Sequence, residues 1–366
     1  MWENKQTGSI RHEYYEPEEN VAALVWLSKE LGYKIVGEDV IYSLLVQLRV
    51  DKPEQNPLYH TILKRKNDGT IRKLYSPLDE LKEVQYRIKR RILSSYQVSD
   101  NAFGYSGGSV FDTLQPHLPT DGEQRIMFQA DIKNAFPSVS GENVFLALYG
   151  LPSSESYEHY REKGYLSWHV AAMLTELLTI YDGWSGFLPQ GAPTSPKLFD
   201  LVFLGIDRNL SHLACNVGGV YTRFADNIYF SMKGEFFPEV ISRAIIRTIQ
   251  ECRSRDDYLF DARRFYCKKV KVRPLNVESL RALGLNIING EIHNTREFKL
   301  SIRKSIHHIN WLLANSDTPE YSAKLEHAIN VLKGQMSFAV EETLPEALLQ
   351  DYYSLSTTLD GSVSTI

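Results

Sequence analysis

Tyr221-Thr222-Arg223-Phe224-Ala225-Asp226-Asn227 is the stretch that decides how this chain folds. Strand-forming residues lead into a short polar break, and Ile228-Tyr229-Phe230 leads out of it, the pattern of two strands joined by a tight turn. A carboxylate at such a turn points out of the sheet, so Asp226 is offered to whatever strand lies beside the hairpin. Upstream, Phe128-Gln129-Ala130-Asp131-Ile132-Lys133-Asn134-Ala135-Phe136 begins as an apolar strand over 126–132 and carries Asp131 near its end. Either Asp alone is more simply a turn or cap residue. Between them lies Leu188-Pro189-Gln190-Gly191-Ala192-Pro193-Thr194-Ser195-Pro196, where Ser195 before Pro196 suits the start of a helix and the apolar run Leu198 to Ile206 continues it.

Residues 1–50 read as an N-terminal extension with two helices, on the spacing of Val21, Leu24, Val25, Leu27 and Leu31 and then Ile41 to Leu48. Asn67-Asp68-Gly69 between Thr61–Lys64 and Thr70–Leu74 predicts a hairpin whose strands carry cations. Leu81, Val84, Ile88 and Ile92 predict an amphipathic helix over 79–95 with a basic opposite face. A glycine-rich loop, 101–109, leads into another helix, 158–181 reads as helix, and 182–186 as a turn. The mixed pattern holds over 51–295, and 296–366 reads as short helices forming a separate lobe with a tail.

The chain has 366 residues, 43% hydrophobic and 23% charged, enough for a sizeable core in two or three lobes. Its net charge of -4 carries no case for nucleic acid, so such a role must rest on local basic runs. Two exist: Lys64, Arg65, Lys66, Arg72, Lys73, Arg87, Lys89, Arg90 and Arg91 early, and Arg263, Arg264, Lys268, Lys269, Lys271 and Arg273 late. Each run alone is more simply a solvated face. Cys215, Cys252 and Cys267 lack the spacing of a zinc site or disulfide framework, which fits a reducing cytoplasm. No apolar stretch reaches the roughly 18 residues of a membrane span, so a soluble cytoplasmic protein is expected.

The three opening segments, in that order, resemble the palm of a bacterial reverse transcriptase of the retron and phage-defence type, and more distantly the group II intron enzymes. The resemblance covers roughly residues 55 to 345. It includes the basic hairpin before Tyr75-Ser76-Pro77, the Phe103-Gly104-Tyr105 loop through Ser109, the Lys268-Lys269 strand, Leu283-Gly284-Leu285-Asn286, and Leu332-Lys333-Gly334 with Met336-Ser337-Phe338. It implies an α+β right-hand polymerase fold, with fingers and an antiparallel-sheet palm over 51–295 and a small helical thumb within 296–366.

It also implies an RNA-directed DNA polymerase working by two-metal nucleotidyl transfer. Such chemistry asks the protein chiefly for alignment and charge stabilisation, supplied by two ions roughly 3.5–4 Å apart. Asp131, Asp226 and the Ile132 carbonyl would hold two Mg2+ ions. Phe136 would sit under the sugar and leave no room for a 2'-hydroxyl, selecting deoxynucleoside triphosphates. Gln190 and Gly191 would line the nucleotide pocket, Arg72 with Lys64 and Lys73 would hold the triphosphate, and Lys269 would lie near the leaving pyrophosphate. The implied partners are a non-coding RNA template and its DNA product, in antiviral defence, with a second defence protein or a second copy of the chain as further candidates.

The chain departs from the family pattern at Asn227, where a second Asp is usual, and at Phe224, where Tyr is usual. An uncharged Asn227 weakens metal attraction and suits Mn2+ as the alternative ion. Thr113-Leu114-Gln115-Pro116-His117 and Ala282-Leu283-Gly284 depart from the retron pattern, pointing to a phage-defence enzyme outside the retrons proper. Two alternatives stand: template-independent or protein-primed DNA synthesis, with Tyr352-Tyr353-Ser354 as acceptor region, and an inactive RNA-binding or partner-binding pseudo-polymerase.

Overall fold

The computed structural model describes residues 17–33, 40–48, 56–66, 69–120, 123–149, 166–181, 186–234, 237–251, 265–276, 279–315 and 319–363. The expected turn residues Asn67 and Asp68, the cations Arg263 and Arg264, and Cys252 lie outside them. The chain divides into two compact units: 1–117 with 127–272, and 118–126 with 273–366.

In the first unit, α1 (Pro17–Glu30) and α2 (Val40–Gln47) realise the two expected helices and bury Leu27, Ile41 and Leu44. The hairpin β1 (Tyr59–Arg65) and β2 (Ile71–Pro77) runs in register from Tyr59 opposite Pro77 to Arg65 opposite Ile71. Lys64, Arg65, Arg72 and Lys73 are exposed on it. The following helix, α3 (Asp79–Arg91), buries Leu81, Val84 and Ile88. It ends four residues short of expectation, in a 3-10 turn over Leu93–Ser95. The glycine-rich loop feeds the single-turn α4 (Val110–Leu114) through a capping box between Ser109 and Asp112.

The main sheet has β3 (Arg125–Ile132), β4 (Val220–Phe224), β5 (Asn227–Lys233) and β6 (Cys267–Pro274) in the order β4-β5-β3-β6. The hairpin β4–β5 is antiparallel, with Phe224 opposite Asn227. Helices α5 (Gly141–Tyr149), α6 (Trp168–Leu178), α7 (Ser195–Asn216) and α8 (Glu239–Glu251) supply the other apolar faces. The sheet and helices share one core containing Phe128, Phe145, Phe199, Phe203 and Phe230. The start of α7 differs from expectation. Thr194 is the capping position and makes no side-chain cap bond, while Ser195 is already helical and its hydroxyl donates to the Pro189 carbonyl at 2.6 Å. That carbonyl competes successfully because the Pro189–Pro193 turn folds back over the helix start.

The second unit holds a three-stranded antiparallel sheet, β7 (Leu280–Ala282), β8 (Leu285–Ile288) and β9 (Glu291–Asn294). Helices α9 (Arg296–Ala314), α10 (Pro319–Phe338) and α11 (Glu346–Val363) follow, of 19, 20 and 18 residues, longer than the short helices expected. Ile302, Ile306, Ile309, Leu332, Leu348 and Leu355 form their own core. The architecture is thus mixed, helices with antiparallel sheets, as the sequence pattern requires. Among the described residues no helix is long and apolar enough to cross a membrane.

Candidate active site

The carboxylates of Asp131 and Asp226 are brought together by the backbone. The Ile132 N–H donates to the Asp226 carbonyl at 2.9 Å, so the end of β3 is fastened to the turn before β5. Ala225 in that turn is left-handed at φ 54°, which lets two residues reverse the chain and present Asp226. Burial, reinforced by the neighbouring Asp131 charge, raises the Asp226 carboxyl above its ordinary range; Lys268 and Arg72 act in the opposite sense. The Asp131 charge is thus felt at Asp226, and so is the positive charge of Arg72 on the hairpin.

Asp131 is paired on its other side. Lys268 Nζ stands 3.0 Å from Oδ1 and Lys269 Nζ 3.6 Å from Oδ2, with Lys269 left-handed at φ 53°. Lys133 N–H donates to the Tyr266 carbonyl at 2.8 Å, holding the start of β6 against the end of β3 so that these lysines reach the acid. Asn227 Nδ2 lies 3.4 Å from both Asp226 Oδ1 and the Phe224 carbonyl. Its amide therefore faces the acid it follows. Among the described residues no group of three or more His, Cys, Asp or Glu side chains is placed to share a metal ion. The two carboxylates would offer a cation oxygen donors only, a chemistry suited to Mg2+ or Mn2+.

The remaining predicted residues fall on two sides. The Tyr75 N–H donates to the Gln190 carbonyl at 2.8 Å. Gly191, at φ 127°, lies so close to β2 that a Cβ would stand 2.9 Å from the Tyr75 carbonyl oxygen. The Gln190-Gly191 turn is thus seated on the strand that carries Arg72 and Lys73. Phe136 packs 5.7 Å from Phe199, ring centre to ring centre. Lys64, opposite Arg72 in the hairpin, is exposed and has no ion pair to either acid.

A buried ionic cluster supports the turn from behind. Arg223 is fully buried and bonds Asp207 through two nitrogens (2.9 and 2.7 Å) and Asp200 Oδ1 through a third contact at 2.9 Å. The same Nη1 donates to the Ala225 carbonyl at 2.8 Å. Burial opposes the Arg223 charge, but Asp207 and Asp200 more than offset it, and its pKa is raised. Tyr221 donates its hydroxyl to Asp207 at 2.6 Å. Arg223 stands in the hairpin stretch, but its role is not legible from that stretch alone. The available signal was Asp200 and Asp207, seven residues apart and hence on one stripe of a helix whose run Leu198 to Ile206 is otherwise apolar.

His117 is also fully buried. Its Nε2 is 2.8 Å from Thr222 Oγ1 and its Nδ1 2.8 Å from Ser231 Oγ. Thr222 donates its hydroxyl to the Thr113 carbonyl at 2.9 Å, so it accepts from Nε2–H. The network pins β4 and β5 to the segment after α4.

No family model matches the chain. It is 30% identical over 243 residues to retron Mx65 reverse transcriptase of Myxococcus xanthus, covering 62% of this chain and 52% of that protein. Retron Ec86 reverse transcriptase of Escherichia coli is 28% identical over 47% of this chain and 48% of its own length. Retron Ec73 reverse transcriptase of Escherichia coli is 21% identical over 75% of this chain and 83% of its own length. The chain thus spans about half the length of the first two. Among solved structures, the telomerase of Candida Tropicalis in complex with a telomeric RNA fragment aligns with a TM-score of 0.45 at 11% identity, covering 82% of this chain and 55% of that one. In sequence, the chain is similar to the bacterial retron reverse transcriptases.

Proposed function

We propose that the protein is an RNA-directed DNA polymerase that copies a non-coding RNA into DNA, in the service of antiviral defence. The observation that carries the reading is the 2.9 Å bond from the Ile132 N–H to the Asp226 carbonyl, which sets Asp131 and Asp226 side by side. Likeness in sequence to retron reverse transcriptases supports the class of reaction.

Asp131, Asp226 and the Ile132 carbonyl would hold divalent ions, Mg2+ or Mn2+. Bound there, such ions supply activation of the primer 3'-hydroxyl and charge stabilisation at the phosphorus. The chain's own residues do the rest. Lys268 and Lys269 lie against Asp131, and Lys269 would meet the leaving pyrophosphate. Arg72, with Lys73 and Lys64 on the same hairpin, would take the triphosphate. Gln190 and Gly191, fixed on β2, would shape the base pocket, and Phe136 would exclude a 2'-hydroxyl.

Primer extension tests this: purified protein, a templated RNA with an annealed primer, deoxynucleotides, and either metal. Template-dependent product is expected. Its absence with both metals, beside a working control enzyme, overturns the reading.

A further inference from the structure

The Phe103-Gly104-Tyr105 segment connects the acidic turn to Phe136. The Arg223 N–H donates to the Asn101 carbonyl at 2.7 Å and the Phe103 N–H donates to the Arg223 carbonyl at 2.9 Å, so Ala102 forms a parallel bridge on the edge of β4. The next residue presses on the turn itself. A Cβ on Gly104 would stand 2.2 Å from the Ala225 nitrogen, a distance only glycine avoids. Beyond Tyr105 the Ser106 hydroxyl donates to the Ala102 carbonyl, so the tyrosine leaves a backbone held on both sides.

Its ring closes a triangle. Tyr105 lies 5.9 Å from Phe136 and 6.3 Å from Phe199, the latter edge to face, and Phe136 lies 5.7 Å from Phe199. Phe199 is fully buried, whereas Phe136 and Tyr105 are half-buried at the open side. Each ring touches the other two, so Phe136 cannot turn away without displacing Tyr105. An aromatic ring excludes a 2'-hydroxyl only while it is held in place.

We propose that Tyr105 is a positioning residue for sugar selection, wedging Phe136 so that the site discriminates deoxyribonucleotides from ribonucleotides. This rests on the polymerase reading and on Phe136 lying beneath the sugar. The sequence resemblance assigned Tyr105 no role; the triangle of rings does.

The test is single-nucleotide primer extension with the full chain, measuring kcat/KM for a deoxynucleotide and the matching ribonucleotide. Wild type, Tyr105→Phe, Tyr105→Leu, Tyr105→Met and Phe136→Ala are compared, and thermal unfolding establishes which variants are folded. Tyr105→Phe keeps the ring and should leave the deoxy-to-ribo ratio within about twofold. Tyr105→Leu should lower that ratio about tenfold, chiefly by raising ribonucleotide kcat/KM, the scale of a small gap in a selective pocket. Tyr105→Met stands in if the leucine variant fails to fold. An unchanged ratio in the leucine or methionine variant, or a parallel fall for both nucleotides, overturns the wedge. A ratio unmoved by Phe136→Ala overturns it too. Lack of deoxynucleotide incorporation by wild type instead removes the polymerase reading, and the inference with it.

Discussion

Arg223 Nη1 donates to the Ala225 carbonyl at 2.8 Å, so the turn that presents Asp226 is braced from inside the core. The same guanidinium is neutralised by Asp207 and Asp200 and flanked by the Phe203 and Phe199 rings, 5.0 and 5.5 Å from its centre. Removing one partner from such a buried group leaves an uncompensated charge.

Arg223→Ala should therefore destabilise the first unit by about 3–5 kcal/mol and abolish synthesis. Asp207→Ala should be similar in scale. Asp200→Asn should cost less, because Asp200 makes one bond to Arg223 where Asp207 makes two, and its Oδ2 has no hydrogen-bond partner among the described residues. Denaturant unfolding midpoints measure the ranking, and an Arg223→Ala protein as stable as wild type would refute it.

Asp131→Ala and Asp226→Ala should each reduce synthesis to background, since each removes charge from the proposed ion site. Asp226→Asn should do so while stabilising the metal-free protein at pH 7. The sign follows from the raised carboxyl pKa. Its stabilising form is the protonated one, fully present below the unfolded value near ~3.9 and lost as pH rises through the folded value. At pH 7 wild type bears the cost of a desolvated anion beside Asp131, and Asn does not. Melting temperatures in chelator should differ at pH 7 and converge toward pH ~4. A lower melting temperature for Asp226→Asn at pH 7 contradicts this.

Asn227→Asp should leave the Mg2+-supported rate unchanged or raise it severalfold. It should also lower metal-free stability at neutral pH, because the amide now 3.4 Å from Asp226 Oδ1 becomes a like charge. Initial rates in each metal and melting in chelator report the two effects separately. A steep fall in rate would mean the site is built around the amide.

Gly191→Ala should push the Gln190 turn off β2, since the added methyl meets the Tyr75 carbonyl at 2.9 Å and φ 127° is strained for alanine. A stability loss of about 1–3 kcal/mol is expected, with a larger proportional loss in kcat/KM for the nucleotide than in kcat. Wild-type kinetics would show that the turn does not line the nucleotide site.

The linear chain determined the local elements. The alternation around Tyr221–Phe230 specified a hairpin with Asp226 at its bend, and the apolar run before Asp131 specified a strand, because side-chain periodicity acts over a few residues. The three ordered segments also carried the resemblance borne out by the retron relatives. Where α3 stops and which oxygen receives the Ser195 hydroxyl were not legible, since periodicity marks the buried face of a helix better than its ends, and a hydroxyl at a helix start has several nearby acceptors to choose from. Only the tertiary structure placed Lys268 on Asp131, Gly104 against Ala225, Tyr105 on Phe136, and Arg223 between Asp200 and Asp207. Those contacts join residues 16 to 137 positions apart or span separate elements, and they form because burying a charge or seating a ring requires a partner that packing alone can bring near.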